Sequence, residues 1–195
     1  HENSFDRKVL DQLRNCKIIT RVGVGFNNVD LIHAKKKNIK VCNVPDYGIN
    51  DVADHAMTFL LMLCKKINFY SEDIRKKLNW EWGNHKKLKR IQNITLGILG
   101  CGRIGSAVAL RAKSFGMNVI FYDPYVTPGH EKTLSIKREE NLKNFLKEID
   151  VLSIHTPLTK ITNNMVDDNF VKKMKKGIII INTARGPILK KETIY

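Results

Sequence analysis

The chain has 195 residues, 43% of them hydrophobic and 27% charged, with a formal net charge of +15. That size supports one good core, or about one and a half domains, in an ordinary soluble globular balance. No apolar run approaches the roughly 20 residues that a membrane span needs, no secretory signal stands out, and Cys16, Cys42, Cys64 and Cys101 show neither metal-ligand spacing nor a disulfide framework. Reduced thiols in a cytoplasmic protein without a bound metal are expected. The lysines come in short groups (Lys35 to Lys37, Lys65-Lys66, Lys86-Lys87, Lys172-Lys173, Lys175-Lys176) without interleaved aromatics. They read as solvated faces, with some help for an anionic cofactor, rather than as a nucleic-acid site.

In chain order, Lys17 to Val22 reads as a buried strand, followed by a glycine loop (VGVGFNN), a short helix from about Asp30 to Lys37, and a second strand from Ile39 to Val44 that Pro45 ends. This is a β-loop-α-β piece of a parallel sheet. From Asn50 to about Leu78 the period changes to three or four, through Val52, Ala56, Phe59-Leu60, Leu63, Ile67, Tyr70 and Ile74. One long helix is expected, capped by Asn50 or Asp51. It reads equally as an interdomain or dimer element and as a helix buried in one core. Asn79 to Asn93, with two tryptophans, reads as a connection. Strands are then expected at Thr95 to Leu99, Asn118 to Tyr122, Asp150 to His155 and Ile178 to Asn182, the last buried on both faces as a parallel sheet requires. Helices are expected at about Arg103 to Ser114, Glu139 to Lys147 and Asp167 to Lys173. That alternation is the signature of a doubly wound sheet.

The segment LGILGCGRIGSAVALRAKSFGMNVIFYDP carries Gly100-x-Gly102-x-x-Gly105 between a strand and a helix, with Asp123 ending the next strand 18 residues after Gly105. That context gives a weak pattern its meaning. Gly100 makes the tight turn, Gly102 lets the backbone approach a pyrophosphate, and Gly105 lets the helix pack close on the strand. Amides around Arg103 and Ile104 would meet phosphates at a helix N-terminus. Asp123 would accept from the ribose hydroxyls and repel a 2′-phosphate, favouring NAD over NADP. Cys101 reads as a small spacer rather than a reactive thiol.

Two loops join an arginine to glycines. In RVGVGFNN, exposed amides and Arg21 could form a carboxylate site, although a plain loop is the stronger reading from the residues alone. In IIIINTARG, the chain leaves the carboxyl end of a strand through Asn182, Thr183 and Ala184 and reaches Arg185, whose fork could hold a carboxylate or polarise a carbonyl. A surface arginine capping the sheet is the competing reading. HTPLTKIT (His155 to Thr162) leaves a third strand edge, on the adenosine side of a cofactor. His155 could act as a base, but a histidine at a strand end is more often structural.

RVGVGFNNVDL, VCNVPDYGINDVADHAM, the glycine segment with its DPY ending, SIHTPLTKITNNMV and GIIIINTARGPIL together resemble the successive motifs of the D-isomer-specific 2-hydroxyacid dehydrogenases, across nearly the whole chain. The glycine segment is especially similar to the C-terminal-binding protein branch, with phosphoglycerate dehydrogenase and hydroxypyruvate or glyoxylate reductase as other close relatives. The resemblance implies two α/β domains with an active site in the cleft between them: a doubly wound parallel Rossmann sheet, and part of a second, flavodoxin-like substrate domain. Residues 1–45 are expected to belong to the substrate domain. Residues 46–195 are expected to form the NAD-binding domain, truncated at its C-terminus and including the linking helix near 50–78.

By the same resemblance NAD is bound by Gly100, Gly102, Arg103, Ile104, Gly105 and Asp123. Thr156, Pro157, Leu158 and Thr162 line the adenosine side, and Thr183, Ala184 and Arg185 approach the nicotinamide. Arg185 matches the catalytic arginine, and Arg21, Val24 and Gly25 match the loop that faces the substrate carboxylate. Asn27 stands where the family usually has an aspartate, so this loop is tuned differently. The implied activity is hydride transfer between a D-2-hydroxy acid and NAD, in a homodimer that takes a small 2-hydroxy or 2-keto acid and engages neither membrane nor nucleic acid. The implied alternative is an NAD-sensing transcriptional corepressor of the C-terminal-binding type. The family's glutamate and acid/base histidine fall beyond Tyr195, ten residues after Arg185. A piece of a longer protein, inactive or nearly so alone, is therefore expected.

Overall fold

A computed structural model describes residues 4–77 and 88–194. The expected end of the long helix at Leu78, and the part of the connection that carries Trp80 and Trp82, lie outside the described residues. The chain divides into two compact units, residues 1–49 and 50–195.

In the first unit Asp6 caps α1 (Arg7–Gln12) through the Val9 amide, and Asp30 caps α2 (Leu31–Lys36) through the His33 amide. Each such cap contributes about 1 kcal/mol. Strands β1 (Ile18–Arg21) and β2 (Lys40–Asn43) pair in parallel, with Ile18 opposite Lys40 and Arg21 opposite Asn43. Leu10, Ala34 and Ile39 form the core, with Ile19 and Val41 packed against it. The first strand is not buried as its apolar content suggests. Its residues alternate between exposed and half-buried, and Ile18 is 54% exposed. The apolar cluster of this small unit covers only alternate side chains of each strand.

Helix α3 (Ile49–Cys64) starts at the boundary between the units, and α4 (Ile67–Lys77) follows it in the second. The single helix expected here is two. Lys66 adopts a left-handed conformation with φ 52° and ends the first helix. No glycine or proline marks that break. The buried stripe of α3 is Ala53, Ala56, Met57, Leu60 and Cys64, whereas Phe59 and Leu63, expected inside, are 40% and 46% exposed. Small residues on the packed side allow close approach, and they are easy to miss beside larger apolar ones.

A five-stranded parallel sheet follows: β3 (Thr95–Leu99), β4 (Asn118–Tyr122), β5 (Lys137–Arg138), β6 (Val151–Ile154) and β7 (Ile179–Asn182), in the spatial order β5-β4-β3-β6-β7. Between them run α5 (Arg103–Ser114), α6 (His130–Leu134), α7 (Leu142–Glu148) and α8 (Asp168–Val171), and α9 (Lys191–Ile194) comes last. The order reverses direction at β3, so β3 and β6 end beside each other at the switch point where α/β sheets bind ligands. One cluster, around Leu96, Ile98, Val108, Ala112 and Phe121, joins α3 and α5 to the sheet. Another, around Leu99, Phe145, Leu146, Leu152 and Phe170, joins α7 and α8. Helix α6 and strand β5 were not anticipated. The expected buried character of β7 is also corrected: only Ile181 is buried, and Ile179, Ile180 and Asn182 are half-buried. The strand lies at the edge of the described sheet and is covered less than β3 or β6. No helix among the described residues is long and apolar enough to cross a membrane. Lys35 to Lys37, Lys172-Lys173 and Lys175-Lys176 are all exposed.

Candidate cofactor and substrate sites

The glycine turn joins β3 to α5 at the switch point. Gly100 has φ +89°, and a Cβ there would come within 2.9 Å of the Thr156 backbone nitrogen. A Cβ on Gly105 would run into the Gly100 carbonyl. Gly102, the N-cap of α5, has no side-chain capping bond and no atom within 4 Å of where a Cβ would sit. Open space therefore lies over a helix start whose first amides have no partner inside the helix. Arg103 is exposed there and Ile104 half-buried. Asp123 follows β4 and braces the turn: one carboxylate oxygen accepts from the Cys101 amide at 2.8 Å, the other from the Tyr125 amide at 2.8 Å. Each oxygen keeps a further lone pair for a ligand hydroxyl. Cys101 is fully buried, and burial pushes its thiol up to about 11. At neutral pH it is an uncharged spacer.

Strand β6 ends beside this turn, and β7 is the next strand beyond it. After β6, the Thr156 hydroxyl is buried without a hydrogen-bond partner, and after β7 so is the Thr183 hydroxyl. Two orphaned hydroxyls at strand ends are costly unless a ligand meets them. The loop after Thr156 is shaped by Thr162, whose hydroxyl donates to the Pro157 carbonyl at 2.6 Å and accepts from the Thr159 amide at 2.8 Å. Pro157 is exposed and Leu158 half-buried. His155 places Nε2 2.8 Å from the hydroxyl of buried Ser153, and burial lowers its imidazole to about 4. A neutral ring tied to the strand behind it fits the structural role.

Arg185 leaves β7 through a turn stapled by Asn182. That side chain accepts from the Ala184 amide at 3.0 Å and donates to the Arg185 carbonyl at 2.9 Å. The Arg185 guanidinium donates to the Ala184 carbonyl at 2.7 Å. A cavity of about 470 Å³ lies beside this edge, lined by Asp51, Val52, His55, Phe59, Asn182 and Thr183. Of the α3 residues in that lining, the sequence marks Val52 and Phe59 only as a periodic face and Asp51 only as a cap candidate, and does not single out His55, because residue types on a helix carry no signal of which strand end they meet.

In the first unit, Arg21 ends β1 and donates through Nε to Asn28 at 3.1 Å. Gly23 is buried against it, since a Cβ there would run into the guanidinium. The Val24 carbonyl accepts from the Asn43 side chain at 2.8 Å. Val24 and Gly25 are half-buried, and Asn27 is exposed.

Residues 57–195 match the family model described as D-isomer specific 2-hydroxyacid dehydrogenase, NAD binding domain, and residues 1–98 match the corresponding catalytic domain. The chain belongs to the D-isomer specific 2-hydroxyacid dehydrogenase family. It is 34% identical over 191 residues to a D-3-phosphoglycerate dehydrogenase of Methanocaldococcus jannaschii, a match that covers 97% of this chain and 36% of that protein. It is 30% identical over 199 residues to C-terminal-binding protein 1 of Caenorhabditis elegans, covering 100% of this chain and 27% of that protein. The chain thus spans well under half the length of these relatives. Among solved structures, a D-lactate dehydrogenase from Aquifex aeolicus in complex with NAD and lactic acid superposes with a TM-score of 0.92 at 36% identity, over 98% of this chain and 57% of that one.

Family membership makes NAD the cofactor of the larger unit, and the residues present fit it. An open helix start and an acid at the end of the second strand are groups that a dinucleotide at a switch point uses, and the unpartnered hydroxyls of Thr156 and Thr183 at the ends of β6 and β7 leave polar atoms for a ligand to meet.

Proposed function

We propose that the protein is an NAD-dependent oxidoreductase acting on a D-2-hydroxy acid, with residues 50–195 holding the cofactor and residues 1–49 forming part of the substrate domain. The observation that carries this reading is the open start of α5 with the buried, unpartnered Thr156 hydroxyl beside the glycine turn, and a second such hydroxyl, of Thr183, after β7, the strand beyond β6. When bound, NAD supplies the nicotinamide carbon that takes or gives the hydride. The chain's own groups bind and orient. The amides from Gly102 to Ile104 meet the pyrophosphate, Asp123 accepts from the adenosine ribose, and Thr156, Pro157, Leu158 and Thr162 border the adenosine. Thr183 and Ala184 border the nicotinamide. Arg185 holds a substrate carboxylate and stabilises charge that develops on the C2 oxygen, and in the smaller unit the loop of Arg21, Val24 and Gly25 offers a guanidinium and amides to a carboxylate. His155 is not assigned the proton-transfer role, because its ring is already engaged by Ser153.

Titration of the intact protein with NAD and NADP tests the cofactor half. Asp123→Ala should weaken NAD by about 10- to 100-fold, the scale of a lost charge-assisted hydrogen bond, and narrow the preference over NADP. Equal binding of both cofactors by the unaltered protein would remove Asp123 from the reading. Reduction of pyruvate-type keto acids by NADH tests the substrate half.

A second reading, an NAD-sensing corepressor, is favoured by the match to C-terminal-binding protein 1, which covers the whole of this chain. Capture of a corepressor-recruiting peptide by the intact protein, without keto-acid turnover, would select it.

A further inference from the structure

A polar chain that the roles above leave unused supports the glycine turn from behind. Ser106, on the first turn of α5, donates its hydroxyl to the Cys101 carbonyl at 3.2 Å. His130, the first residue of α6, places Nε2 3.1 Å from the same hydroxyl oxygen. Its ring stands edge-on to Phe121 of β4, with centroids 6.1 Å apart. On the other side of Cys101, the amide is held by Asp123. Side chains therefore fix both peptide planes that flank this residue.

The second plane matters most. The peptide between Cys101 and Gly102 carries the Cys101 carbonyl and the Gly102 amide, and in a trans peptide these point in opposite directions. With the carbonyl drawn to Ser106, the Gly102 amide is turned away from Ser106. Gly102 is also the residue with no atom near the site of a missing Cβ. The aim of this amide thus depends on where the serine hydroxyl spends its hydrogen. A hydroxyl has one hydrogen to donate and two lone pairs. A bare Nε2 would draw that hydrogen to the ring and release the carbonyl. An Nε2 that carries its own proton donates to the oxygen and leaves the hydrogen to the carbonyl, against which the Cys101 thiol, 3.7 Å from the same oxygen, is a weak competitor.

We propose that His130 is a positioning residue for the cofactor: by donating Nε2–H to Ser106 it commits the serine hydroxyl to the Cys101 carbonyl and so aims the Gly102 amide at the pyrophosphate. The inference rests on NAD binding at the glycine turn. His130 touches neither cofactor nor substrate and acts only through Ser106.

The test is calorimetric titration of the intact protein and three variants with NAD, ADP-ribose and adenosine. Ser106→Ala and His130→Phe should each weaken NAD and ADP-ribose about fivefold, the scale of one hydrogen bond, and leave adenosine, which lacks the pyrophosphate, unchanged. His130→Gln, whose amide restores a donor near the Nε2 position, should stay within about twofold of the unaltered protein. If His130→Gln loses as much as His130→Phe, or adenosine weakens in parallel, the chain is general scaffolding and the inference falls. If the unaltered protein binds NAD and all three variants match it, the inference falls alone. If the unaltered protein binds no NAD, the cofactor reading falls and takes the inference with it.

Discussion

The glycine turn and the edge that carries Arg185 both close parallel strands of one sheet, yet they are held in different ways. The turn is wedged. Gly105 leaves no room beside the Gly100 carbonyl, Gly100 abuts the start of the Thr156 loop, and the carboxylate of Asp123 takes two backbone amides. The strand before it, β3, is buried through Leu96, Ile98 and Leu99. The Arg185 loop is stapled. Its strand is half-buried, and one side chain, Asn182, makes two of the hydrogen bonds that shape the turn, beside the Ile188 amide on the Arg185 carbonyl at 3.2 Å. Packing forces the conformation in the first case, and local hydrogen bonds select it in the second. A cofactor pyrophosphate needs several amides aimed together before it arrives, which packing supplies. For the substrate contact proposed for Arg185, these bonds place the backbone from which the side chain extends.

The largest effect that would sharpen this contrast lies under the turn, at His155. Its folded-state value of about 4 lies well below the ordinary 6.5. The charged ring is disfavoured in the folded state, so the unfolded chain binds more protons between those values. Stability from this site is complete above pH 6.5 and is lost as pH falls toward 4, by about 3 kcal/mol in all. Urea unfolding from pH 7 to 4 should show that loss, and His155→Gln should flatten it. The lowered carboxylates of Asp11, Asp30, Asp150 and Asp168 lose their contribution from around their ordinary value of 3.8 downward, mostly outside this window. An unchanged slope in the variant would mean that the ring is hydrated and the wedge is looser than described.

A smaller effect separates two glycines of the same turn. Gly105→Ala forces a methyl against backbone that cannot turn aside and should cost about 2 kcal/mol, together with NAD affinity. Gly102→Ala meets open space and should cost at most about 1 kcal/mol, from alanine's poorer fit at the N-cap, while affinity falls if the pyrophosphate approaches there as proposed. Equal loss of stability in both would show that the turn is not built around one close contact.

This asymmetry also decides what the residues disclosed in advance. Wedged geometry demands particular residue types at fixed offsets, so the tight turn at Gly100 and the close packing at Gly105 were readable, and strands β3 and β4 and helix α5 begin and end where alternation and periodicity place them. The break between α3 and α4 was not readable, since a lysine takes the left-handed position that glycine usually announces. Four successive isoleucines suggested full burial for β7, but composition does not say which strand lies at an edge. The bracing pair of Ser106 and His130 is 24 residues apart. It comes together only because α6, itself unanticipated, packs back against α5.

The smallest effect lies at the stapled edge. Asn182→Ala removes an acceptor from the Ala184 amide and a donor from the Arg185 carbonyl. Both groups are near solvent and can find water, so the loss should be about 1 kcal/mol or less. The functional consequence should be larger than that figure suggests, because the Ala184 amide loses the acceptor that holds it, although the Arg185 carbonyl keeps the bond from the Ile188 amide at 3.2 Å. In keto-acid turnover by the intact protein, KM should rise several-fold as the Arg185 backbone gains alternative conformations, with NAD affinity almost unchanged. An equal loss of NAD affinity would show that the two strand ends share one support, and the contrast between wedge and staple would have to be abandoned.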